Sequence, residues 1–502
     1  MAFKVIVPSN LDIDKLLRTQ PPTTFKTNDR NKEILYYFGS VLIWQGYKYG
    51  GHNEENKGFI PLYSKYLKQI HTHYLDYLAY LIDAGVLECD NHYIKDKKSK
   101  GYRFTAAYIG VTLKEVELKD YLIRKCLRKQ AVAKTVFKKE SLKKYRHIVK
   151  WFTDKGLEID KAAAEEWIAR QYVSELKEIY LSEDVVNKEL KAKQRFDVWQ
   201  AAKHFVKRMD NREFGLEDFT ADQFGRRLHG MFTYQMKELR NFITYRGQKL
   251  AASDVKNSQP YFTIATLDKG FWMSKKQKTN RLKLCDINEE LYNRCRGINN
   301  IYESIMCLDS SQHVVNQISG LSTFKEDAVS GFLYERFMSK LNQQPDLALS
   351  EQFAERVANR DAVKGEVFRS LYSRNDLVDE DSYWPTRVFN ATYPDATRLF
   401  AAIKSDNRIK TTERHKLFAE IIQQVESYCV LKLICGKIAA ERPNLPIFTI
   451  HDSVVTTVGN EQYVKSVIED VLATKIGMPP KVKFEYWTPE HLYKTLKTPL
   501  SN

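Results

Sequence analysis

A chain of 502 residues, 43% hydrophobic and 28% charged, is long enough for two to four ordinary globular domains. Its net charge of +16 and pI near 9.2 favour a polyanionic partner, most simply nucleic acid. Seven scattered cysteines without a Cys-x-x-Cys spacing argue against a disulfide framework or a zinc site, no apolar run reaches membrane-span length, and the Met1–Lys15 stretch lacks a signal-peptide core, so the expectation is a cytoplasmic protein with no membrane partner.

In chain order, residues 1–58 are mixed and polar, with one helix over Asn31–Gln45. Helices over Leu62–Gln69 and Thr72–Ala84 follow, the second carrying Leu75, Leu78, Leu81 and Ile82 and stopping at Gly85. Two strand-like pieces, Val86–Cys89 and Tyr102–Thr105, bracket the basic stretch Asn91–Lys100. Helix, helix and basic wing resemble a winged helix: either a duplex-binding or template-guiding module, or a small α+β domain that contacts the rest of the protein. Residues 112–220 read as helical throughout. Within them, Lys119–Lys150 is strongly basic with interleaved apolar residues, either a solvated face or a surface that tracks phosphates.

The sequence changes character at Asp222. Phe224-Gly-Arg-Arg-Leu-His-Gly230 leads to a turn at Gly247 and a strand over Lys249–Ser253 with Asp254 at its end. The apolar run Tyr261–Leu267 is a helix or a strand packed behind it. Further on, Arg360, Lys364, Phe368 and Tyr372 recur at steps of four, which places two cations and two aromatics on one helix face. A nucleoside triphosphate needs that combination, cations for phosphate and rings for sugar and base; the alternative is a surface helix whose aromatic stripe faces the core. Gln423-Gln-Val-Glu-Ser-Tyr-Cys429 lies on a helix. Pro446–Thr457 reads as a hairpin with His451-Asp452 at its tip, where Asp452 either caps a turn or ligates a metal. The upstream carboxylate of Asp254 favours the ligand reading. A helix over Glu461–Leu472 and a strand over Lys481–Trp487 follow.

These stretches resemble the family A polymerases, the DNA polymerase I-like group, and more loosely the compact replication polymerases of phages and plasmids. Arg227-Leu228-His229 stands for the family's Gly-Arg-Leu-Ser lead-in, Asp254 through Ser258-Gln259 for its first catalytic motif, Arg360–Tyr372 for its fingers helix, and His451-Asp452 for its last motif. The resemblance implies an α+β right-hand polymerase with palm, fingers and thumb around an antiparallel palm sheet. It gives an N-terminal domain over 1–111 with the winged-helix-like module, a basic thumb-like helical region over 112–221, palm over 222–267 and 401–502, an insertion over 268–325 and fingers over 326–400. It implies a template-dependent nucleotidyltransferase, a DNA-directed DNA polymerase acting on primer–template DNA and deoxynucleoside triphosphates with two Mg2+ ions. Asp254 and Asp452 are then the metal ligands. Arg360 and Lys364 hold the triphosphate, with Lys364 also protonating the leaving group. Phe368 and Tyr372 pack on sugar and template base. Arg227, His229, Gln424 (or Gln423) and His451 contact primer–template, and Glu426 assists at the metals.

Three departures stand out. The first motif reads Asp-Val-Lys-Asn-Ser-Gln-Pro and has no clear counterpart of the family's ribose-excluding Glu. Ser453 follows Asp452, as in single-subunit phage-type RNA polymerases, where the DNA polymerases have Glu. Gly365 interrupts the fingers helix. Leu308-Asp-Ser-Ser-Gln312 offers Asp309 as a competing first Asp, but it lacks the Gly-Arg-Arg-Leu-His and Arg-Gly lead-in. No exonuclease motif occurs in the first 220 residues, so proofreading is not expected. A single-subunit DNA-directed RNA polymerase or self-priming polymerase and a non-catalytic origin-binding initiator are the alternative readings.

Overall fold

The computed structural model describes residues 3–48, 59–93, 99–127, 142–181, 188–276, 278–295, 318–343, 355–405, 414–490 and 492. The fold mixes helices with antiparallel sheets. Two compact units interleave in sequence: Met1–Glu140, Ile159–Glu213 and Tyr234–Phe242 form one, and Ser141–Glu158, Phe214–Thr233 and Ile243–Asn502 form the other.

In the first unit, strand β1 (Phe3–Pro8) pairs antiparallel with a distant strand, Leu113–Leu118. The chain between them supplies helices Ile13–Thr19, Asp29–Lys48, Ser64–Lys68 and Tyr74–Asp83. It also supplies a three-stranded sheet, β2 (Ile60–Pro61), β3 (Leu87–Cys89) and β4 (Gly101–Phe104), with β4 central; the second strand of the pair with β1 is therefore β5. Tyr37, Phe38, Tyr77, Leu78, Leu81 and Leu118 share one core with Val5 and Val7. The Glu33 carboxylate accepts from the Lys119 and Asp120 amides at 2.8 Å, which ties the chain leaving β5 to the Asp29–Lys48 helix. Two long helices, Lys161–Leu181 and Lys188–Asp210, also belong to this unit and pack through Trp167 and Trp199.

This corrects the reading of 112–220 as helical throughout. Leu113-Lys-Glu-Val-Glu-Leu118 is made of helix formers, but its period-2 alternation pairs with β1, and the tertiary partner overrides propensity. Strand β6 (Leu157–Ile159) breaks the same stretch again. Most of the basic 119–150 segment, residues 128–141, lies outside the described residues, as do 296–317 of the expected insertion and with them Asp309.

The second unit is built on a sheet whose central strand is long. After two short strands, β7 (Thr220–Ala221) and β8 (Leu228–His229), comes β9 (Ile243–Tyr245) and then β10 (Gln248–Val255). Only Arg246 and Gly247 separate β9 from β10, and both have positive φ, the two-residue loop whose twist suits a hairpin. Strands β11 (Phe448–Ile450) and β12 (Ser453–Thr457) form the second hairpin, and β13 (Val482–Trp487) follows the Glu461–Ile476 helix. β10 is flanked by β12 on one edge and β13 on the other, both antiparallel. That position explains its run of small or apolar residues, Leu250-Ala-Ala-Ser253, all buried. Phe152, Phe219, Phe232, Phe448 and Trp487 stack edge to face in this unit's core. A second aromatic cluster, Phe324, Phe337, Phe389, Tyr393 and Phe400, forms the core of the helical part that carries Arg360–Tyr372.

Candidate active site

Register brings the two aspartates together. Asp254, the penultimate residue of β10, pairs with Ser453 on β12 and with Lys483 on β13. Residues directly opposite in an antiparallel pair point to the same face, so Asp254 lies between a hydroxyl and an ammonium. The Ser453 hydroxyl donates to Asp254 Oδ1. Asp452 precedes Ser453 in the hairpin turn, so the two carboxylates share one end of the sheet. Loss of hydration first, and the Asp452 charge second, push Asp254 up to about 7. Burial likewise pushes Asp452 up, while a hydrogen bond from Ser258 and the cations of Arg227 and Lys364 pull it back.

The backbone around these groups is strained. Arg226, Asn257 and His451 all adopt left-handed φ (55°, 53° and 52°) although none is glycine. Each directly precedes a residue of the site: Arg227, Ser258 and Asp452. Such strain persists only where the surroundings hold it in place, and it gathers at functional sites. No composition or periodicity signal marks these positions.

Arg227 reaches the site through a brace. Its Nε donates to Glu426 Oε1 at 2.8 Å, and the other Glu426 oxygen accepts from the Gln259 amide. Gln259 Oε1 in turn accepts from the Tyr372 hydroxyl at 2.7 Å. This chain joins the residue before β8, the helix after β10, the Arg414–Ser427 helix and the Arg360–Tyr372 helix. Glu426 is 1% exposed, and burial pushes its carboxyl up to about 8 against the pull of Arg227. Glu426 therefore braces Arg227 and Gln259 from inside the protein. Gln424 is also 1% exposed; its amide donates to Phe224 O at 2.8 Å and accepts from Asn288 at 2.8 Å. Both ends of that side chain serve the fold, and Gln423 is the more exposed of the two glutamines. Gly225 lies close beneath it: a Cβ there would come within 2.6 Å of Gln423 Oε1, so that side chain would have to move. His229 Nε2 meets Asp222 Oδ2 at 3.2 Å, and its ring meets His451 edge to face at 5.5 Å.

The Arg360–Tyr372 helix begins at Asn359, whose side chain accepts from the Asp361 and Ala362 amides. Its buried face is Val363, Glu366, Val367, Ser370 and Leu371. Arg360, Lys364, Phe368 and Tyr372 lie on another face, exposed at Arg360 and Lys364 and half-buried at the rings, with Tyr372 packed against Phe418. Lys364 Nζ sits 5.6 Å from the Phe368 ring centroid, and its charge is felt at Asp452. Arg360 Nε is paired with Glu335 at 2.8 Å. Gln259 lies in the motif that begins at Asp254, whereas Glu335 carried no motif in the sequence and is found only through its contact with Arg360.

Among the described residues, no group of three or more His, Cys, Asp or Glu side chains is placed to hold a metal ion, which leaves the Asp254–Asp452 pair as the candidate among them. Two carboxylates suit Mg2+, which keeps water and phosphate oxygens in its remaining positions. Among the described residues no helix is long and apolar enough to cross a membrane. No protein-family model and no curated protein matches the chain. Among solved structures, it is similar to the POL domain of Pol1 from M. smegmatis in complex with DNA primer-template and dNTP. The likeness covers 66% of this chain and 68% of that one at 9% identity, with a TM-score of 0.29. At that level of superposition the site rests on its own residues.

Proposed function

We propose that the chain is a template-dependent nucleotidyltransferase, a DNA-directed DNA polymerase that extends a primer on template DNA with deoxynucleoside triphosphates. One observation carries the reading. Two mutually repelling carboxylates close one end of an antiparallel sheet, and a helix face bearing Arg360, Lys364, Phe368 and Tyr372 brings a cation within electrostatic reach of Asp452.

Asp254 and Asp452 are the residues that would hold Mg2+, and a bound cation would offset the repulsion between them. The chemistry that bound Mg2+ supplies is activation of the primer 3′-hydroxyl and neutralisation of the leaving pyrophosphate. Arg360 and Lys364 bind the triphosphate, and Lys364 protonates the leaving group. Phe368 and Tyr372 cover sugar and template base, and the Gln259–Tyr372 hydrogen bond sets the angle of that ring. Arg227, braced by Glu426, and the His229–His451 pair contact the primer end. Asp452→Asn is expected to abolish primer extension while leaving primer–template affinity within about two-fold; extension at the wild-type rate overturns the assignment.

Ser453 favours a second reading, a single-subunit RNA polymerase. The residue after Asp452 is a hydroxyl that donates to Asp254, where a third carboxylate is absent. Offering dNTPs or rNTPs on primed and unprimed templates separates the two products.

A further inference from the structure

The helix Leu333–Asn342 delivers two side chains to the nucleotide face. Glu335 Oε1 accepts from Arg360 Nε at 2.8 Å, but its Oε2 is buried and accepts nothing among the described residues. Tyr334, 3% exposed, lies beneath the same guanidinium, whose central carbon is 4.9 Å from the ring centroid. Burial is the main influence on the Tyr334 phenol. The charges of Arg360, Asp452 and Glu335 also act on it, and Tyr334 acts in turn on Tyr372. Its hydroxyl makes no hydrogen bond among the described residues. A donor without a hydrogen bond among the described residues thus lies beneath the first triphosphate cation.

The resting pair is a poor one. Arg360 and Glu335 are both substantially exposed, a setting in which ion pairs contribute little. The unmet buried oxygen of Glu335 weakens it further. A triphosphate offers Arg360 more charge and more acceptor oxygens than one carboxylate does.

We propose that Glu335 is an internal stand-in for the incoming triphosphate, displaced from Arg360 when a nucleotide binds, and that the Tyr334 hydroxyl then donates to that triphosphate. The proposal rests on the reading of the Arg360 face as the nucleotide site. Glu335 therefore sets nucleotide affinity by competition, and Tyr334 by direct contact.

The test is equilibrium binding of Mg·dATP to the full chain, followed by single-nucleotide extension with the same proteins. Glu335→Gln removes the competing charge and keeps the side-chain shape; it is expected to bind dATP roughly two- to five-fold more tightly, the range of an exposed ion pair. Tyr334→Phe keeps the ring and loses the donor; it is expected to bind roughly ten-fold more weakly. Both effects should appear in KM with kcat within about two-fold, which a merely structural role would not produce. Arg360→Gln serves as the reference for lost binding. Variants that bind dATP like the wild type, or a wild type that binds none, overturn the proposal. Binding that responds to both substitutions in a protein that extends no primer supports this proposal and overturns the polymerase reading alone.

Discussion

Asp254 binds its proton more tightly in the folded chain than an exposed aspartate does, because folding strips its water and sets it beside Asp452. The sign follows from linkage. A carboxyl raised from 3.8 to about 7 contributes stability that is full below pH 4 and is lost as pH climbs through 7. Glu426, raised from 4.5 to about 8, acts in the same direction over a window reaching slightly higher. In chelator, the melting temperature of the wild type is therefore expected to fall between pH 5 and pH 8.5. Asp254→Asn should flatten that fall, melting higher than the wild type at pH 8.5 while extending no primer. Glu426→Gln keeps the shape of the brace and should flatten the upper part of the profile. A wild-type melting temperature unchanged across this range contradicts both expectations. Mg2+ should bind more tightly as pH rises, since carboxyls raised by burial must give up their protons first.

The Arg360–Tyr372 helix shows how an element can serve packing and chemistry at once. Val363, Val367 and Leu371 bury one side, leaving the stripe of cations and rings available. Its C-terminus is tied by Lys404, whose Nζ donates to Ser373 O at 3.1 Å; burial lowers that lysine to about 8. Gly365 is exposed, and a Cβ added there meets nothing within 4 Å. Gly365→Ala is therefore expected to stabilise the helix by about 1 kcal/mol, read as greater hydrogen-exchange protection of its amides. Unchanged protection would mean that Gly365 costs the helix nothing. The helix was legible in the sequence because its face pattern runs at one period; the Asn359 cap at its start shows only in the structure. The 113–118 strand was not, because its residues are helix formers and its partner lies more than a hundred residues away in the sequence.

At the scale of the whole molecule, the charge of +16 is a statement about partners. Affinity for primer–template DNA should fall linearly on a log–log plot against salt. A footprint of about six to ten phosphates loses roughly 10³- to 10⁵-fold between 50 and 200 mM. Fluorescence anisotropy over that range measures the slope, and a flat response would remove nucleic acid as the main partner. The two compact units interleave along the chain, so neither is a continuous block of sequence. Such interleaving leaves no local signature, because it depends on which distant segments share a core.

By itself the sequence determined the elements with strong local signals: the 446–457 hairpin with Asp452 at its tip, the Arg246-Gly247 turn into β10, and the four-step face from Arg360 to Tyr372. Each is set by turn chemistry or periodicity over a few neighbouring residues. Only the tertiary structure decided that Asp254 and Asp452 meet, through a strand register spanning about two hundred residues. It also decided that Gln424 and Glu426 are buried, and that Glu335 and Tyr334 lie against Arg360. Burial and pairing are properties of what surrounds a side chain, and in this protein those surroundings come from segments far apart along the chain.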